Sequence, residues 1–241
     1  QSKIVLSDGT SLHINEAMGN ITEEYKARIQ IRETIIAHLQ KEQNNFHRGI
    51  KTLSLFFLDQ VKNYRLYDDD GNQLLGRYGE IFEEEYKNIY SDYCTLFDPD
   101  YATYLAAIEP KDTHAGYFSI DKKGRAVNSD EKGKEKISDD ISAYDLILKN
   151  KEHLLNIDKP VRFIFSHSAL REGWDNPNVF QICTLRHSNS NTAKRQEVGR
   201  GLRICVDKFG TRMDADLLGE DVHEVNELTV VANESYASFT T

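Results

Sequence analysis

One stretch constrains the fold more than any other, the run GIKTLSLFFL at residues 49–58. It is rich in β-forming apolar residues and lacks the regular alternation of a strand with one wet face, which indicates a central strand covered on both faces. Two more buried strands are indicated by the runs VRFIFSHSA and VFQICTL, which begin at Val161 and Val179. A helical pattern between residues 142 and 157 precedes them. Strands that alternate with helices in this order favour parallel pairing, so the sequence predicts an α/β fold with a parallel sheet flanked by helices.

A long helix is predicted before the first of these strands. Apolar residues recur at helical spacing from Thr22 to about Phe46, and Gly49 marks the end of the helix. A second, acidic amphipathic helix is predicted around residues 81–93, and its tyrosines are expected to pack in the core rather than to stack on bases.

The two ends of the chain are rich in β-forming residues. The segment KIVLSDGTSLHI has such runs on both sides of Asp8-Gly9 and predicts an N-terminal β-hairpin. The run Leu228–Val231 predicts a last strand. We therefore expect a hairpin or linker at residues 1–20 and one domain at 21–241, interrupted by an inserted helix and loop segment at about 65–140. Within that segment GYFSID predicts a strand, and the lysine-rich stretch after it predicts a solvated loop.

Composition limits the class of protein. The chain has 241 residues, of which 39% are hydrophobic and 29% charged, as in an ordinary globular protein. Its net charge of −9 argues against nonspecific coating of nucleic acid, although a locally basic groove remains compatible with it. Three widely separated cysteines favour a reducing compartment, and no apolar run approaches the ~18 residues that span a bilayer. These features predict a soluble, cytoplasmic protein that does not bind membranes.

The most specific short motif is Q-x-x-G-R-x-x-R, formed by Gln196, Gly199, Arg200 and Arg203. On a helix this spacing would place all four residues along one face. Arginine keeps its charge, and its planar fork matches phosphate oxygens, so the pair suits the charge on a transferring phosphoryl group. Gly199 leaves room for a backbone or a ligand. The alternative is a surface helix with two solvated arginines.

A second motif, ALREGWDNPNV, lies between the two later strands and predicts a strand, a loop and a strand. Asp175 can accept hydrogen bonds from a sugar hydroxyl, and Gly173 permits close backbone approach. Together the two motifs resemble motifs V and VI in the second RecA-like domain of superfamily 2 helicases, and the first strand resembles motif IV.

The resemblance to one family extends over nearly the whole chain. The segments RIQIRETIIAHLQKE, GIKTLSLFFLDQVKNYR, FEEEY, GYFSIDKKG, RFIFSHSALREGWDNPNVFQICTL, RQEVGRGLRICVD and NELTVVANESY are similar to the Res subunit of type III restriction-modification enzymes. The resemblance implies an ATP-dependent superfamily 2 motor that is joined to a nuclease domain. It also implies two partners, double-stranded DNA and a methyltransferase (Mod) subunit that reads the DNA site.

The resemblance also implies roles for individual residues. Arg200 and Arg203 would reach the nucleotide phosphates together with Gln196, with Arg203 as the arginine finger at the γ-phosphate. The nucleotide would also contact residues of both motifs, which are Gly173, Asp175 and Gly199. Backbone phosphates of DNA would contact Ser166 and Ser168. Trp174 stands where many superfamily 2 proteins have an aliphatic residue.

Two signatures of a complete motor do not occur in the sequence, namely G-x-x-x-x-G-K-[ST] and D-E-x-H. ATP and Mg²⁺ are therefore expected to be bound mainly by the first RecA-like domain of the full-length enzyme, and this chain alone is expected to be inactive. The histidines and cysteines show no metal-ligand spacing. Two other functions remain open: a superfamily 2 repair-type helicase without a restriction role, and a noncatalytic RecA-like interaction module.

Overall fold

The computed structural model describes residues 3–5, 11–13, 22–121, 125–128, 154–167, 176–186 and 191–232. The strands are β1 (Lys3–Val5), β2 (Ser11–His13), β3 (Leu53–Phe57), β4 (Arg65–Tyr67), β5 (Gln73–Leu75), β6 (His114–Tyr117), β7 (Ser119–Ile120), β8 (Ala126–Val127), β9 (Phe163–Ser166), β10 (Val179–Thr184) and β11 (Thr229–Val231). The α-helices are α1 (Glu23–Phe46), α2 (Arg77–Tyr93), α3 (Pro99–Ala106), α4 (Asn191–Val198), α5 (Ala215–Leu218) and α6 (Val222–Val225). Single turns of 3₁₀-helix occur at Val61–Asn63, Cys94–Leu96, Pro110–Asp112 and Gly219–Asp221.

The centre of the fold is a five-stranded parallel sheet with the strand order β11-β10-β3-β9-β6. Each neighbouring pair in it is parallel. Strand β3 is in the middle and all five of its residues are buried, which confirms the central strand predicted from residues 49–58. The predicted α/β class, a parallel sheet flanked by helices as in RecA-like domains, is confirmed as well.

The strand β3 is apolar throughout because both faces of the sheet are covered. Phe56 faces the larger core cluster, which includes buried residues of α1 and α2. Leu55 and Phe57 face a second cluster that contains Leu154 and Ile164. A strand with one wet face would have shown alternating polar residues instead.

Helix α1 begins and ends where the sequence predicts. The Thr22 hydroxyl oxygen accepts a hydrogen bond from the Tyr25 amide at 3.2 Å and caps the amino end. Beyond the carboxyl end, Gly49 has a φ of +68°, in the left-handed region that favours glycine. Helix α1 packs beside α2, where Glu85 is buried and accepts hydrogen bonds from Arg28 and Arg32.

The N-terminal segment and the segment at 65–140 contribute smaller sheets. Strands β1 and β2 form an antiparallel hairpin, as predicted, and the Asp8-Gly9 turn lies outside the described residues. Strands β4 and β5 form another hairpin, with Gly71 at a φ of +85° in its turn. The lysine-rich stretch predicted as a solvated loop also falls largely outside the described residues.

Part of the segment at 65–140 belongs to the central fold. Strand β6 pairs with β9 at the edge of the parallel sheet. Helix α2 supplies Ile81, Phe82, Tyr86 and Ile89 to the core beside α1. The predicted strand GYFSID is divided between β6 and β7 at Phe118. The expected packing role of the tyrosines is confirmed for Tyr86, which is buried.

A polar network is buried near the amino ends of the parallel strands. Arg162, which directly precedes β9, is fully buried and donates a hydrogen bond to Glu42 at 2.8 Å. The hydroxyl of Tyr101 donates to the same carboxylate oxygen at 2.8 Å. Burial opposes ionisation of Glu42, but Arg162, His38 and Lys51 together outweigh burial and hold the pKa of Glu42 well below its usual range. The network thus keeps a buried ion pair charged.

Candidate active site

The helix that carries the Q-x-x-G-R-x-x-R motif is shorter than predicted. Helix α4 ends at Val198. The amide of Gly199 still donates to the Arg195 carbonyl, four residues back, at 2.9 Å. The amide of Arg200 donates instead to the Glu197 carbonyl, three residues back, at 3.1 Å. The prediction that one helical face carries the whole motif is therefore wrong, since Arg200 and Arg203 lie on the turn that follows.

Two glycines lie in the turn that ends the helix. A Cβ atom on Gly199 would lie 3.0 Å from the carbonyl oxygen of Arg195, within its own helix. A Cβ atom on Gly201 would lie 2.4 Å from Cδ1 of Leu228, just before β11. Gly201 therefore allows this turn to pack closely against the chain that leads into β11. It is not among the site residues predicted from the sequence.

Arg203 and Gln196 are on the protein surface. Both residues are exposed. The Arg203 guanidinium donates to the carbonyl oxygen of Gly199 at 2.7 Å and of Leu202 at 3.3 Å. A cation at this position interacts favourably with the carbonyl end of a helix. Its contacts with these two backbone carbonyls leave Arg203 at the surface, where a group outside this chain can reach it.

Arg200 is less accessible and has an acidic neighbour. It is partly buried, and this burial lowers the pKa of its guanidinium, whereas Glu197 opposes the shift. An arginine in such a place stays charged at neutral pH. Its charge is therefore partly compensated within the chain, unlike a cation that is fully in water.

Glu197 links helix α4 to the sheet. This buried carboxylate accepts hydrogen bonds from Arg186 and, at 3.4 Å, from the hydroxyl of Thr184 at the carboxyl end of β10. Neither Glu197 nor Arg186 is among the residues predicted from the sequence. Their positions are nevertheless suggestive, because Glu197 lies inside the motif and Arg186 lies two residues after a buried strand.

Ser166 lies at the same edge of the sheet. It ends β9 and is aligned with Phe57 of β3, which is in turn aligned with Thr184 of β10. In parallel sheets, ligands bind at the carboxyl ends of the strands, which is the edge that these residues mark. Ser166 is fully buried, and its hydroxyl has no hydrogen-bond partner among the described residues. The other residues predicted for this site, Ser168, Gly173 and Asp175, lie outside the described residues, as does Trp174.

In the described parts of the chain, no group of three or more His, Cys, Asp or Glu residues is arranged to hold a metal ion. In the same parts, no helix is both long enough and apolar enough to cross a bilayer. Cys183 and Cys205 are fully buried.

The chain is similar in sequence to three Res subunits of type III restriction-modification enzymes. It is 41% identical over 219 residues to that of EcoP15I from Escherichia coli, which covers 88% of this chain and 21% of the relative. It is 40% identical over 220 residues to that of EcoPI from Escherichia phage P1, with the same coverage of 88% and 21%. It is 37% identical over 235 residues to that of StyLTI from Salmonella typhimurium (strain LT2), which covers 87% of this chain and 22% of the relative. No protein-family model matches the chain.

These matches confirm the resemblance of the chain to the Res subunits of type III restriction-modification enzymes. The similarity covers most of this chain but only about a fifth of each relative, at 21–22% of its length. The chain therefore corresponds to one segment of such a subunit.

Proposed function

We propose that this chain, a homologue of one segment of the type III restriction-modification Res subunits, is the second RecA-like domain of an ATP-dependent DNA motor. The observation that carries the proposal is the exposed guanidinium of Arg203 on the turn after α4, within a Q-x-x-G-R-x-x-R motif. A permanent cation at the surface can enter a nucleotide site formed by another domain. A fully buried arginine could not do so without unfolding its surroundings.

In this proposal the motif provides half of an ATP site. Arg203 contacts the γ-phosphate, Arg200 supplies a second positive charge, and Gln196 lies beside them. Gly173, Asp175 and Gly199 line the nucleotide. The first RecA-like domain of the same protein binds most of the ATP and Mg²⁺, because the chain contains no G-x-x-x-x-G-K-[ST] sequence. For that reason we expect the isolated chain to hydrolyse no ATP.

The chemical role of the arginines is electrostatic. Negative charge spreads over the oxygens of a phosphoryl group during its transfer, and a fixed guanidinium stabilises that charge. The carbonyl of Gly199 holds the Arg203 guanidinium near the end of α4 before the domains close. Glu197 limits the free charge near Arg200, which reduces repulsion between the two arginines.

The similarity to Res subunits supports a proposal for the activity of the whole protein. The full-length subunit would couple ATP hydrolysis to movement on double-stranded DNA and to cleavage by its nuclease domain. It would work with a methyltransferase (Mod) subunit. Ser166 and Ser168 would contact DNA backbone phosphates. Since Ser166 is buried here, its contact with DNA would require movement of the residues that cover it.

The test is the change Arg203→Ala in the full-length subunit assembled with its methyltransferase partner. We expect DNA-stimulated ATP hydrolysis to fall on the order of a thousandfold, as for loss of an arginine finger. The matched control is Arg195→Ala, because Arg195 is also exposed and lies on α4. That control should hydrolyse ATP at nearly the normal rate. Near-normal turnover of the Arg203→Ala enzyme would refute the proposed role.

A further inference from the structure

Hydrogen bonds to its backbone groups fix the segment that follows Arg203. The amide of Cys205 donates to Oδ1 of Asn226 at 2.8 Å, and the carbonyl of Cys205 accepts from the Met213 amide at 2.9 Å. The side chain of Asn226 also donates to the carbonyl oxygen of Met213 at 2.8 Å. The Asn226 side chain thus reinforces two parts of the chain that an antiparallel bridge between Val206 and Arg212 also joins.

A second asparagine fixes the next residue. Oδ1 of Asn178 accepts from the Val206 amide at 2.9 Å, and Nδ2 donates to the Val206 carbonyl at 2.8 Å. The same Nδ2 donates to the carbonyl of Lys51 at 2.9 Å. Asn178 is 1% exposed, so water does not compete for these bonds. Its side chain therefore connects the approaches to β3 and β10 with the segment after Arg203.

Arg203 itself lies between two fixed points. Helix α4 ends five residues before it, at Val198, and the bonded Cys205 lies two residues after it. Its neighbours Leu202 and Ile204 are 65% and 37% exposed, so their own burial does little to fix the backbone. The position of the Arg203 backbone consequently depends on the anchors on either side.

We propose that Asn178 and Asn226 are positioning residues for Arg203. They hold Cys205 and Val206 so that the Arg203 guanidinium meets the nucleotide phosphate in one geometry. This inference rests on the proposed role of Arg203 in ATP hydrolysis. A displacement of about 1 Å at a catalytic group can cost on the order of a hundredfold in rate, so anchors of this kind affect catalysis without contacting the substrate.

The chemistry of the contacts requires an amide. Asparagine presents one acceptor and two donors, and Asn178 uses all of them on Val206 and Lys51. An aspartate of the same shape could accept from the Val206 amide but would place its second oxygen against two carbonyl oxygens. Asn178→Asp should therefore displace the segment even though the side-chain volume is kept.

The experiment compares Asn178→Ala and Asn178→Asp in the full-length subunit with its methyltransferase partner. We expect each change to lower kcat for DNA-stimulated ATP hydrolysis on the order of a hundredfold, with little change in KM for ATP. The control is Asn45→Ala. Asn45 is equally buried at 1% exposure, and its side chain donates to Thr52 at 3.1 Å rather than to the segment after Arg203. The control should keep its kcat per folded molecule.

A double-mutant cycle separates positioning from a loss of folded protein. If Asn178 acts through Arg203, Asn178→Ala should have almost no further effect on kcat in the Arg203→Ala background. A purely structural defect would lower the rate by the same factor in both backgrounds, and that result would overturn the inference. If the alanine variant does not fold, the cycle is run with Asn178→Asp and, independently, with Asn226→Ala.

The two proposals fail in different ways. A normal kcat for Arg203→Ala would refute the proposed function and with it this inference. A large loss with Arg203→Ala together with a normal kcat for Asn178→Asp and Asn226→Ala would refute the positioning role alone.

Discussion

Arg162 and Arg203 carry the same charged group in opposite surroundings. Arg162 is fully buried, pairs with Glu42 at 2.8 Å, and has its guanidinium carbon 5.1 Å from the centre of the Tyr104 ring. Arg203 is exposed and donates to the backbone carbonyls of Gly199 and Leu202. Burial lowers the pKa of Arg162, but Glu42 and the neighbouring tyrosines together outweigh burial and raise it. Arg162 thus stabilises the fold, whereas Arg203 is accessible to a group outside this chain.

The difference shows that the surroundings of an arginine, and not its presence in the sequence, decide whether it can act in a binding site. A buried charge is stable only when a countercharge and hydrogen bonds accompany it, and removing one partner leaves the other in a poor environment. An arginine at the surface has no comparable cost, so its removal affects function more than stability. Stability and activity measurements should therefore separate the two residues.

The largest expected effect on folding comes from Arg162→Ala. This change leaves the Glu42 carboxylate buried without its main countercharge, so we expect the free energy of unfolding to fall by about 3–5 kcal/mol. The companion change Arg203→Ala should alter it by no more than about 0.5 kcal/mol. Urea denaturation of the purified chain measures both. Replacing Arg162 and Glu42 together by methionine should recover most of the loss, and similar losses for Arg162→Ala and Arg203→Ala would break the comparison.

A smaller effect on the free energy of unfolding is expected from the titration of Lys51, which lies near Arg162 and Glu42. Burial lowers the pKa of the Lys51 ammonium to about 7, and Arg162 adds to this shift. Between about pH 7 and the ordinary lysine pKa of about 10.4, the unfolded chain holds a proton that the folded chain has released. The free energy of unfolding should therefore rise with pH in this window, by on the order of 1–3 kcal/mol.

Lys51→Met tests this expectation because it removes the titrating group. Urea denaturation at several pH values from 7 to 10 should give a flatter pH dependence for Lys51→Met than for the unaltered chain. Lys62→Met is the control, since Lys62 is exposed and its removal should leave the slope unchanged. Equal slopes for all three proteins would show that Lys51 does not exchange its proton on unfolding in this window.

The sequence predicts the parallel sheet because its strands must be apolar on both faces. The runs that contain β3, β9 and β10 show this directly, and Thr22 indicates the start of α1. Strand β6 was harder to recognise as part of the sheet. It has the sequence HAGY, is only partly buried along most of its length, and lies at an edge with one neighbouring strand. Edge strands carry a weaker pattern because less of their surface is covered.

The geometry of the candidate site could not be predicted from the sequence. The spacing of Gln196, Gly199, Arg200 and Arg203 fits one face of a helix, yet the helix ends at Val198. Packing of Gly201 against Leu228 favours the turn, and this contact joins parts of the chain that are distant in sequence. The burial of Arg162 and the bonds of Asn178 also depend on distant partners. Periodicity within a segment cannot reveal such contacts.

The smallest effect is expected for an exposed ion pair whose shortest hydrogen bond is as long as that of the buried pair. Arg77 donates to Glu24 at 2.8 Å, the same distance that separates Arg162 from Glu42. The hydrogen bond from Arg77 lowers the pKa of Glu24, but water and salt screen an exposed pair and its side chains lose entropy on pairing. We expect Glu24→Gln to leave the urea midpoint of the chain unchanged at both low and high ionic strength. A midpoint shift approaching that of Arg162→Ala would show that distance rather than burial decides what an ion pair contributes in this fold.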